Sequence, residues 1–344
     1  MQALILAGGE GTRLRPLTMT VPKPVVPLAN RPFISYMIDW LHRHGFDEIV
    51  MSCGFLADGV REVLGTGDLN GVTVQYVDEP EPLGTAGAVK LAEPVLGERF
   101  AVLNGDVLTD LDISRLRDFH EQRGAVATLG LYPVEDPSSY GVVVTDEQGR
   151  VQEFLEKPAP GTAPTNHVNA GIYLLDHEVL DRIDSGRAVS FEREVFPSLV
   201  GEGLHAMPLD GYWMDIGTPD RYLLATRDIL HGDVETPVSP SNGADGAISP
   251  VLIGSGCDLS PDARLGPDAT LGDGSRIRAG ASVSSASIHA DVLVEEDAVV
   301  EESIVGAGAR VGAGARLEGE TIVGEGAVVP PGTHLTGGRL PPDG

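Results

Sequence analysis

The sequence predicts an α/β domain built on a mainly parallel sheet, followed by a parallel β-helix, and two periodicities carry that expectation. Up to about residue 230 apolar runs alternate with helical segments, and from residue 253 onward an aliphatic side chain returns every six residues. Residues 3–6, 48–51, 72–77 and 100–103 read as strands. A helix follows Asn30-Arg31-Pro32, with Pro32 suited to its first turn, Phe33, Ile34, Met37, Ile38 and Leu41 on one face, and Gly45 as its stop. Strand and helix alternating at this spacing imply helices on both faces of the sheet, with ligands at the carboxyl ends of the strands.

The six-residue series runs Ile253, Leu259, Leu265, Leu271, Ile277 and Val283, slips by one residue to Ile288, Val294 and Val300, then continues Val305, Val311, Leu317, Val323 and Val329. Such repeats wind three to a triangular coil, so these 14 positions predict between four and five coils. The expected boundaries are an α/β domain over 1–230, a linker rich in turn formers over 231–247, the β-helix over 248–335 and a tail over 336–344. The Pro/Gly-rich end from Pro330 is expected to cap the stack or fray from it.

Charge narrows the partners. The chain has 24 Lys+Arg against 51 Asp+Glu, a formal charge of −27, which repels nucleic acid and anionic lipid. No apolar stretch is long enough to cross a bilayer and the N-terminus opens on a strand, so a cytoplasmic protein is expected. Cys53 and Cys257 match no metal spacing and read as reduced thiols. Lysine occurs only at positions 23, 90 and 157, and two of these precede proline.

Against that acidic background the first strand runs into Leu6-Ala7-Gly8-Gly9-Glu10-Gly11-Thr12-Arg13-Leu14, with Pro22-Lys23-Pro24 soon after. Glycines let backbone N–H groups approach an anion, and Arg13 and Lys23 add fixed positive charge. The spacing fits neither GxxxxGK[ST] nor GxGxxG.

These residues resemble the sugar-nucleotide pyrophosphorylases, nucleotidyltransferases that join a sugar 1-phosphate to a nucleoside triphosphate. The resemblance continues through Glu81-Pro82-Leu83-Gly84-Thr85-Ala86-Gly87, Leu103-Asn104-Gly105-Asp106, Phe154-Leu155-Glu156-Lys157-Pro158, Asn169-Ala170-Gly171-Ile172-Tyr173 and Trp213-Met214-Asp215-Ile216-Gly217-Thr218-Pro219, in the family's order. The mannose-1-phosphate guanylyltransferase branch is closest in appearance. The resemblance implies a Rossmann-like nucleotidyltransferase domain with a left-handed β-helix that serves as a site of homo-oligomer contact. It implies that Leu6, Ala7, Gly8, Gly9, Gly11, Thr12, Arg13, Glu79, Gly84, Thr85 and Asp106 serve the nucleotide, that Gly141, Glu156, Lys157 and Asn169 serve the sugar phosphate, and that Arg13, Lys23 and Lys157 are catalytic.

The chemistry can be argued beside the resemblance. A sugar phosphate has a second pKa near ~6, so its oxygen is already an ionised nucleophile and no general base is required. The reaction needs two anions brought together and the charge on the leaving pyrophosphate neutralised. Arg13 and the loop amides suit the triphosphate, Lys23 and Lys157 the reacting phosphates, and Asp106 and Asp215 a Mg²⁺ ion.

Bland rivals stand beside these roles. Asn104-Gly105 is a type I′ hairpin signal, although a helical segment around 113–120 follows it. Asp215 precedes a helix start with Thr218 as N-cap and Pro219 at the first position. Glu192 or Glu194 could face the sugar or lie on a solvated helix face.

The nucleobase is read from Glu79, where relatives taking uracil or thymine carry a glutamine in the resemblance. A carboxylate accepts from both N1–H and the N2 amine of guanine and repels a pyrimidine carbonyl, so GTP is expected. In the rival reading Glu79, between Asp78 and Glu81, is merely solvated. Other expectations remain open: a glucose-1-phosphate thymidylyl-, adenylyl- or uridylyltransferase, a pseudo-sugar enzyme, or a regulatory sugar-nucleotide-binding paralogue. An acyltransferase β-helix would need a histidine base, and His289, at the register slip, reads more simply as a corner side chain.

Overall fold

The computed structural model describes residues 1–65, 67–69, 71–240 and 247–341. The chain forms two compact units, one of Met1–Gly9 and Met37–Trp213, the other of Glu10–Tyr36 and Met214–Gly344. Each compact unit thus draws on two separate stretches of the chain, and residues 241–246 of the predicted linker over 231–247 lie outside the described residues.

The first unit is built on a ten-stranded sheet. Gln2–Leu6 lies between Glu48–Cys53 and Arg99–Asn104, parallel to both, and Val72–Asp78 extends the parallel half. Ala3, Leu4, Ile5, Ile49, Val50, Met51 and residues 100–103 are at most 1% exposed, which explains why these strands read as unbroken apolar runs. The other half is antiparallel: His167–Asp176 pairs with Arg99–Asn104 and with Ala127–Pro133, while Gly141–Thr145 and Val151–Glu156 form the far edge. A Rossmann-like parallel core thus carries an antiparallel extension, whose strands the apolar-run reading left unassigned.

The expected helix is Phe33–Arg43, and Gly45 follows it at φ 79°. Pro32 lies just outside, in the short strand Arg31–Pro32, because the Phe33 N–H bonds the Val26 carbonyl at 3.1 Å. Asn104-Gly105 does not form a hairpin. The short strand Val107–Thr109 pairs elsewhere, with Trp213–Asp215, and the helix Ile113–Arg123 follows it, opened by Asp112, whose carboxylate accepts from Ser114 N at 3.0 Å.

In the second unit 16 short strands stack in three parallel sheets of six, five and five, the arrangement of a left-handed β-helix. Of the 14 aliphatic positions, the 12 from Leu265 to Val329 are at most 3% exposed, whereas Ile253 and Leu259 in the first coil are partly covered. Alanines two residues ahead of many of them, such as Ala281, Ala298 and Ala315, fill the space where a larger side chain would not fit.

The stack continues further than expected. His334–Thr336 and Arg339–Leu340 pair with the coil beneath, so the tail does not begin at 336 and the coils exceed five. Leu335 follows Val329 by six residues and Leu340 follows by five, repeating the slip seen before Ile288 and Val305. Pro330 and Pro331 fall between strands, where no ladder N–H is lost. Residues 342–344 of the predicted tail lie outside the described residues.

The helix Pro219–His231 follows Thr218, which stands at the N-cap position without a side-chain bond. From this helix the buried Tyr222 hydroxyl donates to the Pro27 carbonyl, with Ser287 Oγ and His289 Nε2 at 3.2 and 3.1 Å. Asn30 Nδ2 donates to Leu271 O at 2.7 Å. These bonds place Glu10–Tyr36 with the C-terminal repeats, a grouping that no local signal could announce. His289 is 5% exposed and not an outward corner group, and burial pushes its pKa down to about 4. Among the described residues no helix is long and apolar enough to cross a membrane.

Two outcomes test this packing. Ile277→Ala in the β-helix core should destabilise the protein by about 2–5 kcal/mol in denaturant unfolding. His289 is neutral when folded, so its stability contribution should be full above its unfolded pKa of 6.5 and should fall as pH drops toward 4. The loss should reach about 3 kcal/mol, and His289→Gln should remove that part of the pH dependence between 6.5 and 4.

Candidate active site

In the first unit the parallel strands deliver their carboxyl ends to one small region. Ala7 N donates to Ser52 O at 2.8 Å, and Gly105 N donates to Leu6 O at 2.9 Å. A Cβ on Gly105 would meet Leu6 O at 2.5 Å, so glycine here permits a close backbone approach and sets Asp106, half-buried, immediately after it. A Cβ on Gly54 would stand 3.0 Å from Gly8 O, and one on Gly8 would stand 2.8 Å from Glu79 Oε1. Gly9 is exposed with nothing near its missing Cβ, so its lack of a side chain answers no need of the fold itself.

Glu79 is turned inward. Its N–H bonds Cys53 O at 2.7 Å and its Oε1 accepts from Ser52 Oγ at 2.9 Å, whereas Asp78 pairs with Arg61 and Glu81 is exposed. The solvated-loop reading thus suits Asp78 and Glu81 rather than Glu79.

A second group gathers around His167–Asp176. Asn169 Oδ1 accepts from Gly171 N at 3.0 Å, and Asn169 Nδ2 donates to the Tyr173 hydroxyl at 2.9 Å. Tyr173 donates to Glu192 Oε1 at 3.3 Å, and Glu192 Oε2 accepts from Thr85 and Ser190 at 2.9 and 2.6 Å. Glu192 therefore faces this network, while Glu194 pairs with Arg187 at the surface. Glu156 stands in register with Gly141, and a Cβ there would meet Glu156 Oε2 at 3.0 Å. Burial, then the charge of Glu192, raises the Glu156 pKa above the usual carboxylate range. Lys157 is 61% exposed at φ 51°, its ammonium 4.0 Å from Glu156.

Gly84 and Thr85 face the protein. Gly84 has φ 69° and lies against Val189 O, the N–H groups of Ala86 and Gly87 bond that carbonyl, and Thr85 Oγ1 accepts from Phe191 N at 2.9 Å. Lys90 bonds Glu93 and Leu180 O, so Lys157 is this unit's exposed lysine.

The second unit holds the remaining predicted residues. Gly11 adopts φ 62°, and a Cβ there would meet Lys23 Cβ at 3.0 Å and Thr18 Cγ2 at 3.1 Å, so glycine lets the Lys23 stem pack. Thr18 Oγ1 donates to Gly11 O at 2.8 Å. Thr12 and Arg13 form an exposed single turn, and the Arg13 guanidinium lies where a Cβ on Gly217 would fall, 2.5 Å from Nη2. Asp215, half-buried, ends the strand Trp213–Asp215 two residues before Gly217.

Asp106 and Asp215 offer hard carboxylate oxygens, and among the described residues no group of three or more His, Cys, Asp or Glu gathers into an all-protein cage. Asp106 lies in the first unit and Asp215 in the second, and each is a donor of the hard-oxygen kind that Mg²⁺ takes beside phosphate oxygens and water.

Sequence reasoning missed Ser52, Gly54, Tyr173 and Asn104, whose Oδ1 is buried without a hydrogen-bond partner. Ser52 bonds Glu79 27 residues away and Tyr173 bonds Asn169 and Glu192, 4 and 19 residues away, and only Asn104 and Tyr173 sit inside a recognisable motif.

The Nucleotidyl transferase family profile matches residues 2–232, and the GMPPB C-terminal domain profile matches residues 247–343. A "Mannose-1-phosphate guanylyltransferase" of Mycobacterium tuberculosis is 37% identical over 269 residues, 77% of this chain and 73% of the relative. "Mannose-1-phosphate guanylyltransferase 1" of Arabidopsis thaliana is 41% identical over 280 residues, 77% of this chain and 76% of the relative. The crystal structure of HddC from Yersinia pseudotuberculosis complexed with GMP-PN superposes with a TM-score of 0.56 at 28% identity, over 65% of this chain and 97% of HddC. The family generally uses a divalent metal ion. On the extent of these matches, the chain belongs to the nucleotidyl transferase family.

Proposed function

We propose that the chain transfers GMP from GTP to mannose 1-phosphate, forming GDP-mannose and releasing pyrophosphate, with Mg²⁺ as cofactor. The observation that carries this reading is the Glu79 carboxylate, held beside Gly8 at the start of the glycine loop. A carboxylate there accepts two donors from guanine and opposes the carbonyl of uracil or thymine. The names of the relatives support the same base and sugar.

The sugar phosphate oxygen attacks the α-phosphorus of GTP, a new P–O bond forms, and the bond to the β-phosphate oxygen breaks with its electron pair leaving on pyrophosphate. No proton need move, because the nucleophile is already an anion. In this reading Arg13 and the amides of Gly8, Gly9, Gly11 and Thr12 hold the triphosphate, Leu6 and Ala7 seat the nucleoside, and Gly84 and Thr85 shape the loop after Glu79. Lys23 meets the transferring phosphate and Lys157 the sugar phosphate, with Glu156 and Asn169 accepting or donating to sugar hydroxyls beside Gly141. Asp106 and Asp215 are the carboxylates assigned to Mg²⁺, which would supply charge neutralisation on phosphate oxygens.

The raised pKa of Glu156 suits a group that must exchange hydrogen bonds with neutral hydroxyls rather than pair with a cation. Cys53 and Cys257 are unpaired, which suits a reducing compartment, and we assign the enzyme to the cytoplasm. Homo-oligomer contact through the β-helix completes the proposal, with Val328, 61% exposed, as an apolar group available to it.

The direct test is pyrophosphate release by the purified chain with Mg²⁺ and mannose 1-phosphate, using GTP, ATP, UTP and dTTP in turn. GTP should turn over fastest, and turnover with no nucleotide would reject the enzymatic reading. Glu79→Gln should lower kcat/KM for GTP by about 10- to 100-fold, the loss of a charge-assisted pair, and narrow the gap to UTP. Arg13→Ala should lower kcat by about 10²- to 10³-fold with the melting temperature little changed.

A further inference from the structure

We infer that Ser52 is a positioning residue that sets the nucleobase preference by fixing the Glu79 carboxylate. The inference rests on the reading that Glu79 meets the base.

Ser52 is completely buried near the end of Glu48–Cys53, a strand whose other inner residues, Ile49, Val50, Met51 and Cys53, are apolar or thiol. A hydroxyl buried in such company costs free energy unless bonded. Its bond is the one to Glu79 Oε1 at 2.9 Å, and since a carboxylate only accepts, Ser52 donates. Its carbonyl meanwhile accepts from Ala7 N, at the entry to the glycine loop. One residue therefore ties the loop through its backbone and Glu79 through its side chain.

The rest of Glu79 is held to match. Its N–H is fixed on Cys53 O, and the missing Cβ of Gly8 is what leaves space for Oε1. Oε2 is held far less: among the described residues its donor is Leu83 N, at 3.5 Å. The carboxylate thus has one anchored oxygen and one with lone pairs to offer. A glutamate without that anchor has several rotamers, and ordering them would be charged against guanine binding alone. A nucleotide that gains nothing from Glu79 does not depend on Ser52.

The test is kcat and KM of the full chain for GTP and UTP, with Mg²⁺ and saturating mannose 1-phosphate. Ser52→Ala should raise KM for GTP and lower its kcat/KM about tenfold, and leave UTP within about twofold, so that the GTP/UTP ratio falls about tenfold. Ser52→Thr, which keeps the hydroxyl, should restore the ratio; should its added methyl prevent folding, Ser52→Cys, a weak donor of similar size, should give an intermediate ratio. Combined with Glu79→Gln, Ser52→Ala should add no further loss of preference. An equal loss on both nucleotides, as a purely structural role would give, overturns the inference. So does an unchanged ratio in Ser52→Ala when Glu79→Gln alone shifts it. If Glu79→Gln leaves the ratio unchanged, the reading of Glu79 itself has failed, and the inference with it.

Discussion

The close approach of backbone to backbone at the strand ends is the constraint from which the first unit's chemistry follows. Leu6 O receives the Gly105 N–H with no room for a Cβ, and Gly8 passes against Gly54 and under the Glu79 carboxylate. Three glycines from three chain segments are needed to bring those segments so near. What the approach achieves is placement: Asp106 follows one contact and Glu79 closes another. An alanine at position 8 or 105 would push apart the groups that the proposed reaction needs together, which is a steric reason for glycine independent of any anion.

The second unit rests on a different device. Its β-helix buries a ladder of aliphatics, and buried hydroxyls such as those of Ser275 and Thr321 donate to backbone carbonyls there. Tyr222, Ser287 and His289 form one buried cluster with the Pro27 carbonyl, and Asn30 bonds the backbone at Leu271. Buried polar groups of this kind are costly when unpaired, so they fix how the segment bearing Arg13 and Lys23 seats on the repeats. The same burial removes His289 from consideration as a base, since an imidazole held neutral and 5% exposed has no access to substrate.

The polar network around Glu192 shows how a site can be built from residues with unequal signals. Asn169 and Glu156 stand in short, recognisable stretches. The Tyr173 hydroxyl holds Asn169, and the hydroxyls of Tyr173, Ser190 and Thr85 hold Glu192, and a hydroxyl in a strand or turn looks the same whether it supports a site or not. Thr85 illustrates the difference: its motif marks it as a contact, while its bonds to Glu192 and Phe191 N make it a brace.

Periodicity made the architecture legible. Parallel strands buried on both faces read as apolar runs, and an aliphatic every six residues can stack only as a β-helix; both patterns are local and repeat. Motifs made the family and most candidate residues legible as well, because glycines and cations at fixed spacing are written along the chain. The extra strands ending at Leu340 do carry the repeat, at Leu335 and Leu340, behind prolines that read as a cap; two things left no such signal, the antiparallel half of the sheet and the membership of Glu10–Tyr36 in the second unit. Each depends on pairing between distant segments, which leaves no periodic trace. The choices of Glu192 over Glu194, and of an inward Glu79 over a solvated one, are likewise tertiary. The sequence by itself determined which residues could do the chemistry; only the folded chain decided which way each carboxylate turns, because that depends on a hydroxyl such as Ser52 brought from another strand.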